Sequence, residues 1–128
     1  MDFEVDRPRA SFWRALTALA ILASAVLHLV MYLEWAQNLF PLGAAFLAQG
    51  IVGIALAVVV LVWRSPLALI AAALYGAGSI GAFFLSSATG FLGVTAQLVG
   101  WQEWTSKGVE LLAVLAALAA LALERRRA

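Results

Sequence analysis

The sequence predicts an all-α protein in which four transmembrane helices form an up-down-up-down bundle. Of its 128 residues, 65% are hydrophobic and 12% are charged, and the mean hydropathy is +1.00. A soluble domain of this length would need far more polar surface than these residues supply. The apolar residues also fall into four runs, each long enough to cross a hydrocarbon core about 30 Å thick. We therefore expect a single integral membrane domain over residues 1–128.

The four predicted spans cover residues 15–33, 42–63, 67–85 and 105–123. A polar tail, Met1–Arg14, precedes the first span, and the tight loop Arg64-Ser65-Pro66 joins the second span to the third. Proline suits the first turn of a helix because its missing N–H would have no intrahelical partner there. Residues 86–104 are semi-apolar and contain three glycines, so we expect an interfacial segment on the outer side. Because the other connections are short, successive helices should be antiparallel neighbours.

The beginning of the chain also has features of a secretory signal peptide. Arginines precede the apolar run Ala15–Leu22, and Ala23-Ser24-Ala25 imitates a small-residue cleavage site. The apolar run nevertheless continues without a break through Val26–Val30. We therefore expect this segment to be retained as the first span.

Basic residues predict the orientation of the bundle. Seven of the eight would lie on one side of a four-span arrangement, with Lys107 alone on the other. Under the positive-inside rule that side is the cytoplasm, so both termini should be cytoplasmic. The many alanines and arginines are typical of GC-rich bacterial coding, which predicts a bacterial plasma membrane. The seven residues are Arg7, Arg9, Arg14, Arg64, Arg125, Arg126 and Arg127.

One face of the first span carries its polar residues at spacings of three and four, which places them along a single side of a helix. Lipid tails would leave these polar groups unsatisfied, so we expect the face to point into the bundle. It includes His28, the only histidine of the chain. An ionisable group at such a depth is costly and marks a candidate functional site. The face consists of Thr17, Ile21, Ser24, His28, Met31 and Trp35.

Three other helices carry a polar side chain at about the depth of His28. With a rise of about 1.5 Å per residue, His28 lies roughly 20 Å above the inner end of its span. The corresponding residues of the other spans reach roughly the same height, in the outer third of a core ~30 Å thick. Tyr32 and Lys107 should lie above this layer and Tyr75 below it. The residues that we predict to converge are His28, Gln49, Ser79 and Glu110.

The predicted layer has two interpretations. Polar side chains commonly join membrane helices at about 0.6 kcal/mol per pair, without any chemistry. An ionisable pair costs more than such joining requires, so His28 and Glu110 are also candidates for a ligand, proton or redox site. The leading hypothesis is a non-enzymatic structural or accessory subunit. The alternatives are a small-molecule or proton-coupled binding or transport protein with an outward-facing pocket around these two residues, and an accessory redox protein that binds quinone or haem.

Small residues in the last two spans indicate helix packing. Gly76-Ala-Gly78-Ser-Ile-Gly81 matches the dinucleotide-binding fingerprint, but that fingerprint needs a preceding strand and a helix start. Inside an apolar span we instead expect Ala73, Ala77 and Gly81 to form a close-contact face. Such faces pack within the bundle or between protomers, so a homo-oligomer or larger membrane complex is a predicted partner besides the lipid bilayer. A second face consists of Ala113, Ala116, Ala117 and Ala120.

Several chemistries lack the residues that they need. The chain has no cysteine and one histidine, so we predict neither thiol chemistry nor a metal site. No serine has a recognisable base, and no catalytic residue or cofactor is predicted, apart from the haem or quinone alternative. Arg125-Arg126-Arg127 sets topology and can contact anionic lipid, so no nucleic-acid partner is expected. Glu103 and Lys107 are spaced as a helical ion pair at the outer headgroup level.

Two stretches of the chain carry a resemblance: Leu27-His28-Leu29 followed by Tyr32, and Pro41-Leu42-Gly43 followed by Phe46 and Gln49. Through them the chain resembles small four-span membrane proteins of high-GC bacteria for which no activity is established. This resemblance implies the four-span fold. Small multidrug transporters share the length and span count, but they have an essential glutamate in the first span, where this chain has no acidic residue. The thiol-oxidising four-helix enzymes are excluded by the absence of cysteine.

Overall fold

The computed structural model describes residues 2–34, 36–38, 40, 42–89 and 101–125, with only the backbone described for residues 2–9, 42, 86–89, 102 and 103. These residues form four long α-helices and one short 3-10 helix, and they contain no strand. The predicted all-α four-helix bundle is therefore confirmed. The elements are α1 (Asp2–Glu34), the 3-10 helix Ala36–Asn38, α2 (Leu42–Val62), α3 (Pro66–Thr89) and α4 (Trp101–Arg125).

Each α-helix contains a segment long and apolar enough to cross a membrane, so the chain is a multi-pass membrane protein. The first helix begins at Asp2, whereas the sequence predicted a polar tail up to Arg14. The apolar run marks where a chain enters the bilayer, but backbone hydrogen bonding continues beyond it. Most of the predicted interfacial segment, residues 90–100, lies outside the described residues. The candidate spans are Ala10–Glu34, Gly43–Val62, Pro66–Leu85 and Trp104–Arg125.

Helices α1 and α4 form the centre of the bundle. Helix α1 packs extensively against both α2 and α4, α3 packs mainly against α4, and α2 and α3 contact each other sparsely. Glycines permit two of these close approaches. A Cβ atom added to Gly53 of α2 would lie 2.7 Å from the Cβ of Ala25, and one added to Gly76 of α3 would lie 2.8 Å from the carbonyl oxygen of Glu110.

Small side chains dominate the apolar core, and only some of the predicted small faces contribute to it. The alanine face of α4 is fully inside the bundle. The predicted face of α3 is only partly inside the bundle: Ala73 packs against the core, but Ala77 and Gly81 are exposed, and Ala72 and Gly76 make the buried contacts. Helix α3 has small residues on several sides, so composition did not reveal which side meets α4. The largest core side chains include Ile21, Val60 and Leu69.

Candidate functional site

Glu110 lies at the centre of a buried polar cluster between α1 and α4. Its side chain is 0% exposed. The carboxylate oxygen Oε2 accepts hydrogen bonds from Ser24 Oγ at 2.6 Å and from Ser106 Oγ at 2.9 Å. The other oxygen, Oε1, lies 2.6 Å from Lys107 Nζ. No described residue donates a hydrogen bond of suitable angle to Oε1, so this second contact is ionic.

Helical spacing explains how α4 builds its share of the cluster. Ser106 and Lys107 precede Glu110 by four and three residues, and side chains at these spacings lie beside each other on a helix surface. Ser24 comes from the predicted inward face of α1, whose Thr17, Ser24 and His28 are all buried. We call Ser24, His28, Ser106, Lys107 and Glu110 the Glu110 cluster.

The hydrogen bonds of His28 determine its tautomer. Its Nδ1 atom lies 2.8 Å from the carbonyl oxygen of Ser24, and because a carbonyl only accepts, Nδ1 carries the proton. In the neutral ring, Nε2 is then an acceptor. It lies 3.8 Å from Glu110 Oε2, which is also an acceptor. The Phe46 ring and the imidazole form a T-shaped contact, with 5.2 Å between ring centres. A proton added to Nε2 would therefore convert two facing acceptors into an ion pair between the His28 imidazolium and the Glu110 carboxylate.

A second polar group joins α2 to α3, where direct packing is sparse. The Gln49 side-chain amide donates to Ser79 Oγ. Ser79 Oγ donates to the carbonyl oxygen of Tyr75 at 2.8 Å, and the Tyr75 hydroxyl donates to the carbonyl oxygen of Gln49 at 2.8 Å. We call these three residues the Gln49 group. Side-chain hydrogen bonding thus replaces close packing between these two helices.

Lys107 connects the Glu110 cluster to the Gln49 group. Its ammonium pairs with Glu110, lies 3.4 Å from the carbonyl oxygen of Ser79, and sits 4.9 Å from the centre of the Phe83 ring. Its side chain is 11% exposed. The predicted pairing with Glu103 lies outside the described side chains. A lysine expected at the membrane surface therefore turns inward to a carboxylate one helical turn away.

The structure brings the predicted layer together as two linked pairs. His28 and Glu110 form one pair, and Gln49 and Ser79 form the other. Tyr32 is half-buried one turn beyond His28 and makes no hydrogen bond with the described residues of the layer. Sequence reasoning missed Ser106, although its position four residues before Glu110 on the same helix indicated the contact.

A buried ionic pair, Arg14 with Glu124, lies at the opposite end of the bundle. Arg14 is 1% exposed. Its Nε atom donates to Glu124 Oε2 and its Nη2 atom to Glu124 Oε1, each at 2.8 Å. A fork of two parallel hydrogen bonds is the strongest arrangement of these two groups. The pair therefore ties the beginning of the first span to the end of the last span.

The same guanidinium also binds backbone carbonyls at the end of α2 and in the loop that follows it. Arg14 Nη1 donates to the carbonyl oxygens of Val60 at 2.8 Å and Trp63 at 3.0 Å, and Nη2 donates to that of Ser65 at 3.2 Å. The last carbonyls of a helix have no partner within the helix, so Arg14 satisfies groups that lipid could not. We call Arg14, Glu124 and these three carbonyls the Arg14 cluster. In the sequence Arg14 predicted only the topology, although Arg14 and Glu124 lie at equal depth, which indicated their pairing.

The fold and the two clusters define a small multi-pass membrane protein with charged residues buried at both ends of its bundle. Among the described residues, no group of three or more His, Cys, Asp or Glu side chains is arranged to hold a metal ion. Comparisons with protein-family models, curated proteins and solved structures found no match for this chain. The two clusters are therefore the features of this chain that bear on its function.

Proposed function

We propose that the chain is a non-enzymatic protein of the bacterial plasma membrane that serves as a structural or accessory subunit. Both termini face the cytoplasm in this proposal, because the arginines concentrate at the ends of the spans that adjoin the termini and the loop at Arg64. The described apolar side chains that point outward, such as Leu19, Val58 and Leu115, supply a surface for lipid or for a larger complex.

The observation that carries the proposal is the internal pairing of buried charge. Arg14 pairs with Glu124 and Lys107 pairs with Glu110, so each described charge that is buried in the spans is balanced within the chain. Breaking a buried pair by removing one partner leaves an uncompensated charge. Paired charges at both ends of the bundle hold its helices in one arrangement, which is what a rigid structural subunit requires.

A double-mutant cycle tests this role. We expect Lys107→Met and Glu110→Gln each to lower the free energy of unfolding by about 3 kcal/mol, because each leaves one buried charge unpaired. The double variant should recover much of this loss. Reversible unfolding in mixed micelles measures the three values, and Thr105→Val, at an exposed position of α4, is the control.

Complementation of a deletion strain separates structure from chemistry. If the charges act only on stability, the double variant should complement wherever it is as abundant as the wild type. A stable double variant that fails to complement would contradict the structural role. Single variants with unchanged stability would contradict it as well.

One observation favours a second candidate, a proton-coupled binding or transport protein. His28 Nε2 and Glu110 Oε2 face each other at 3.8 Å as two acceptors. With Lys107 charged, Glu110 ionised and His28 neutral, the cluster carries no net charge and has one site for an added proton. An intramembrane ionisable group of this kind is a typical element of a proton relay. The outcome of the complementation experiment decides between the two functions.

A further inference from the structure

A cavity of about 800 Å³ lies at the same end of the bundle as the Arg14 cluster, between the beginning of α3 and the last two turns of α4. Arg64 lines it from the α2–α3 connection, Pro66 from the first turn of α3, and Leu118, Leu121 and Arg125 from α4. Its volume falls in the range of about 300–1,000 Å³ that is usual for sites of organic ligands. Nothing in the structural role proposed above requires this cavity.

The polar end of the cavity is basic. Arg64 and Arg125 are both exposed. Glu124 also lines the cavity, but both of its carboxylate oxygens are bound by Arg14 at 2.8 Å. Among the described residues, Arg64 donates one hydrogen bond, to Ser11 Oγ at 3.2 Å, and a guanidinium has five N–H donors. Two arginines are thus placed to bind an anion at this end.

The rest of the wall is apolar and continuous with the outer surface of α4. Leu118, Leu121, Ala122 and Arg125 are spaced by three, one and three residues, so they lie on one face of the helix. Leu118 is 51% exposed. From Arg125, this wall runs away from the α2–α3 loop and towards the middle of the span. An inorganic anion would contact only the basic end. A phospholipid has a phosphate group for the arginines and an acyl chain for the apolar wall.

We propose that this cavity binds an anionic glycerophospholipid. Its phosphate lies between Arg64 and Arg125, and one acyl chain follows Leu118 and Leu121. Basic pockets between transmembrane helices are suited to acidic headgroups because each nearby arginine attracts negative lipid. The inference goes beyond the proposed structural role, because the protein would select a lipid as well as span the bilayer.

Native mass spectrometry of the full chain in a neutral detergent tests the proposal with dioleoyl phosphatidylglycerol as probe. We expect Arg64→Gln and Arg125→Gln to weaken binding about fivefold each, and the double variant about thirtyfold. Replacement of both by lysine should preserve most of the affinity, since the charge remains. Dioleoyl phosphatidylcholine should bind at least tenfold more weakly. Equal binding of the two lipids, or unchanged binding by the double glutamine variant, would overturn the proposal.

Two further arms test the apolar wall and the source of the phosphate. Ala122→Trp should fill the cavity and weaken binding at least tenfold, whereas Ala77→Trp, at an exposed alanine of α3, should not. Circular dichroism checks that both variants are folded. If Ala122→Trp does not fold, the arginine variants, which change exposed side chains, provide the test of lipid binding. Inorganic phosphate should not displace the lipid. Displacement at equal concentration would identify a phosphate site and overturn the lipid assignment.

Discussion

A single carboxylate, Glu110, organises the polar interior at one end of the bundle. Taking an ionised carboxylate out of water costs several kcal/mol, and only good contacts recover it. Ser24 and Ser106 donate to one oxygen, and Lys107 pairs with the other. Each contact comes from a residue whose position is set by helical geometry, two of them on α4 itself. His28 stands beside this arrangement without a hydrogen bond to the carboxylate.

The single histidine allows a direct test of the proton site. In protein with ¹⁵N-labelled histidine, every imidazole signal belongs to His28. We expect Nδ1 to carry its proton in the neutral form, because it donates to the carbonyl oxygen of Ser24. As the pH falls, Nε2 should gain the second proton, and the pH of this step should differ in Glu110→Gln. Nitrogen NMR shifts measure both.

Tyr32→Phe is the matched control for this titration, since Tyr32 lies one turn from His28 and has no hydrogen bond with the described residues of the layer. It should leave the ¹⁵N shifts and the pH of the step unchanged. A neutral ring protonated at Nε2 would contradict the geometry. A titration identical in wild type and Glu110→Gln would show that the carboxylate does not share the proton.

At the scale of helices, glycine determines how closely α3 approaches α4. A Cβ atom at Gly76 would lie 2.8 Å from both the carbonyl oxygen of Glu110 and the Val114 Cγ2 atom. Real Cβ atoms do not approach so closely, so the helices would have to separate. The contact with Glu110 is through its backbone, which links the packing of α3 to the position of the cluster.

Gly76→Ala should therefore destabilise the protein by about 1–3 kcal/mol through overpacking. Gly78→Ala, two residues away on the same helix, is the matched control, because no described atom outside the adjoining backbone of α3 lies within 4 Å of the Cβ position there. It should stabilise by up to about 1 kcal/mol, since alanine favours helix more than glycine does. Unfolding in mixed micelles compares the two. Equal effects of both substitutions would show that helix contact at Gly76 does not matter.

At the scale of the whole molecule, two clusters tie the central pair α1 and α4 to the outer helices. The Arg14 cluster binds the end of α2, and Lys107 reaches the carbonyl oxygen of Ser79 on α3. The sparse contact between α2 and α3 is supplemented by the Gln49 group. The sparsely packed pair of α2 and α3 is thus joined by side-chain hydrogen bonds.

The proposed orientation of the whole bundle can be tested because the chain has no cysteine. Gln37→Cys, exposed in the 3-10 helix between α1 and α2, should react with a membrane-impermeant maleimide in intact cells. Ala128→Cys should react only after the cells are opened. Both follow from the arginines on the cytoplasmic side. Labelling in the reverse pattern would place the termini outside.

Hydropathy and spacing were enough to predict the number of helices and the inward face of α1. Thr17, Ser24 and His28 are buried as that spacing requires, and equal depth placed Glu110 at the level of His28. These properties are local, because each depends on residues within one span. The beginning of α1 was predicted less well, since helical hydrogen bonding does not stop where an apolar run ends.

The tertiary structure decided which helix faces and which charged side chains contact each other. The rotation and depth of the packed helices decide which small face of α3 meets α4. They also decide that Lys107 turns inward to Glu110 and that Arg14 reaches both Glu124 and the end of α2. The sequence by itself determined four apolar spans and one polar layer, because lipid requires each span to be apolar and to turn its polar side chains inward. The assembled bundle determined two ionic clusters, because a buried charge is stable only where several helices bring its partners together.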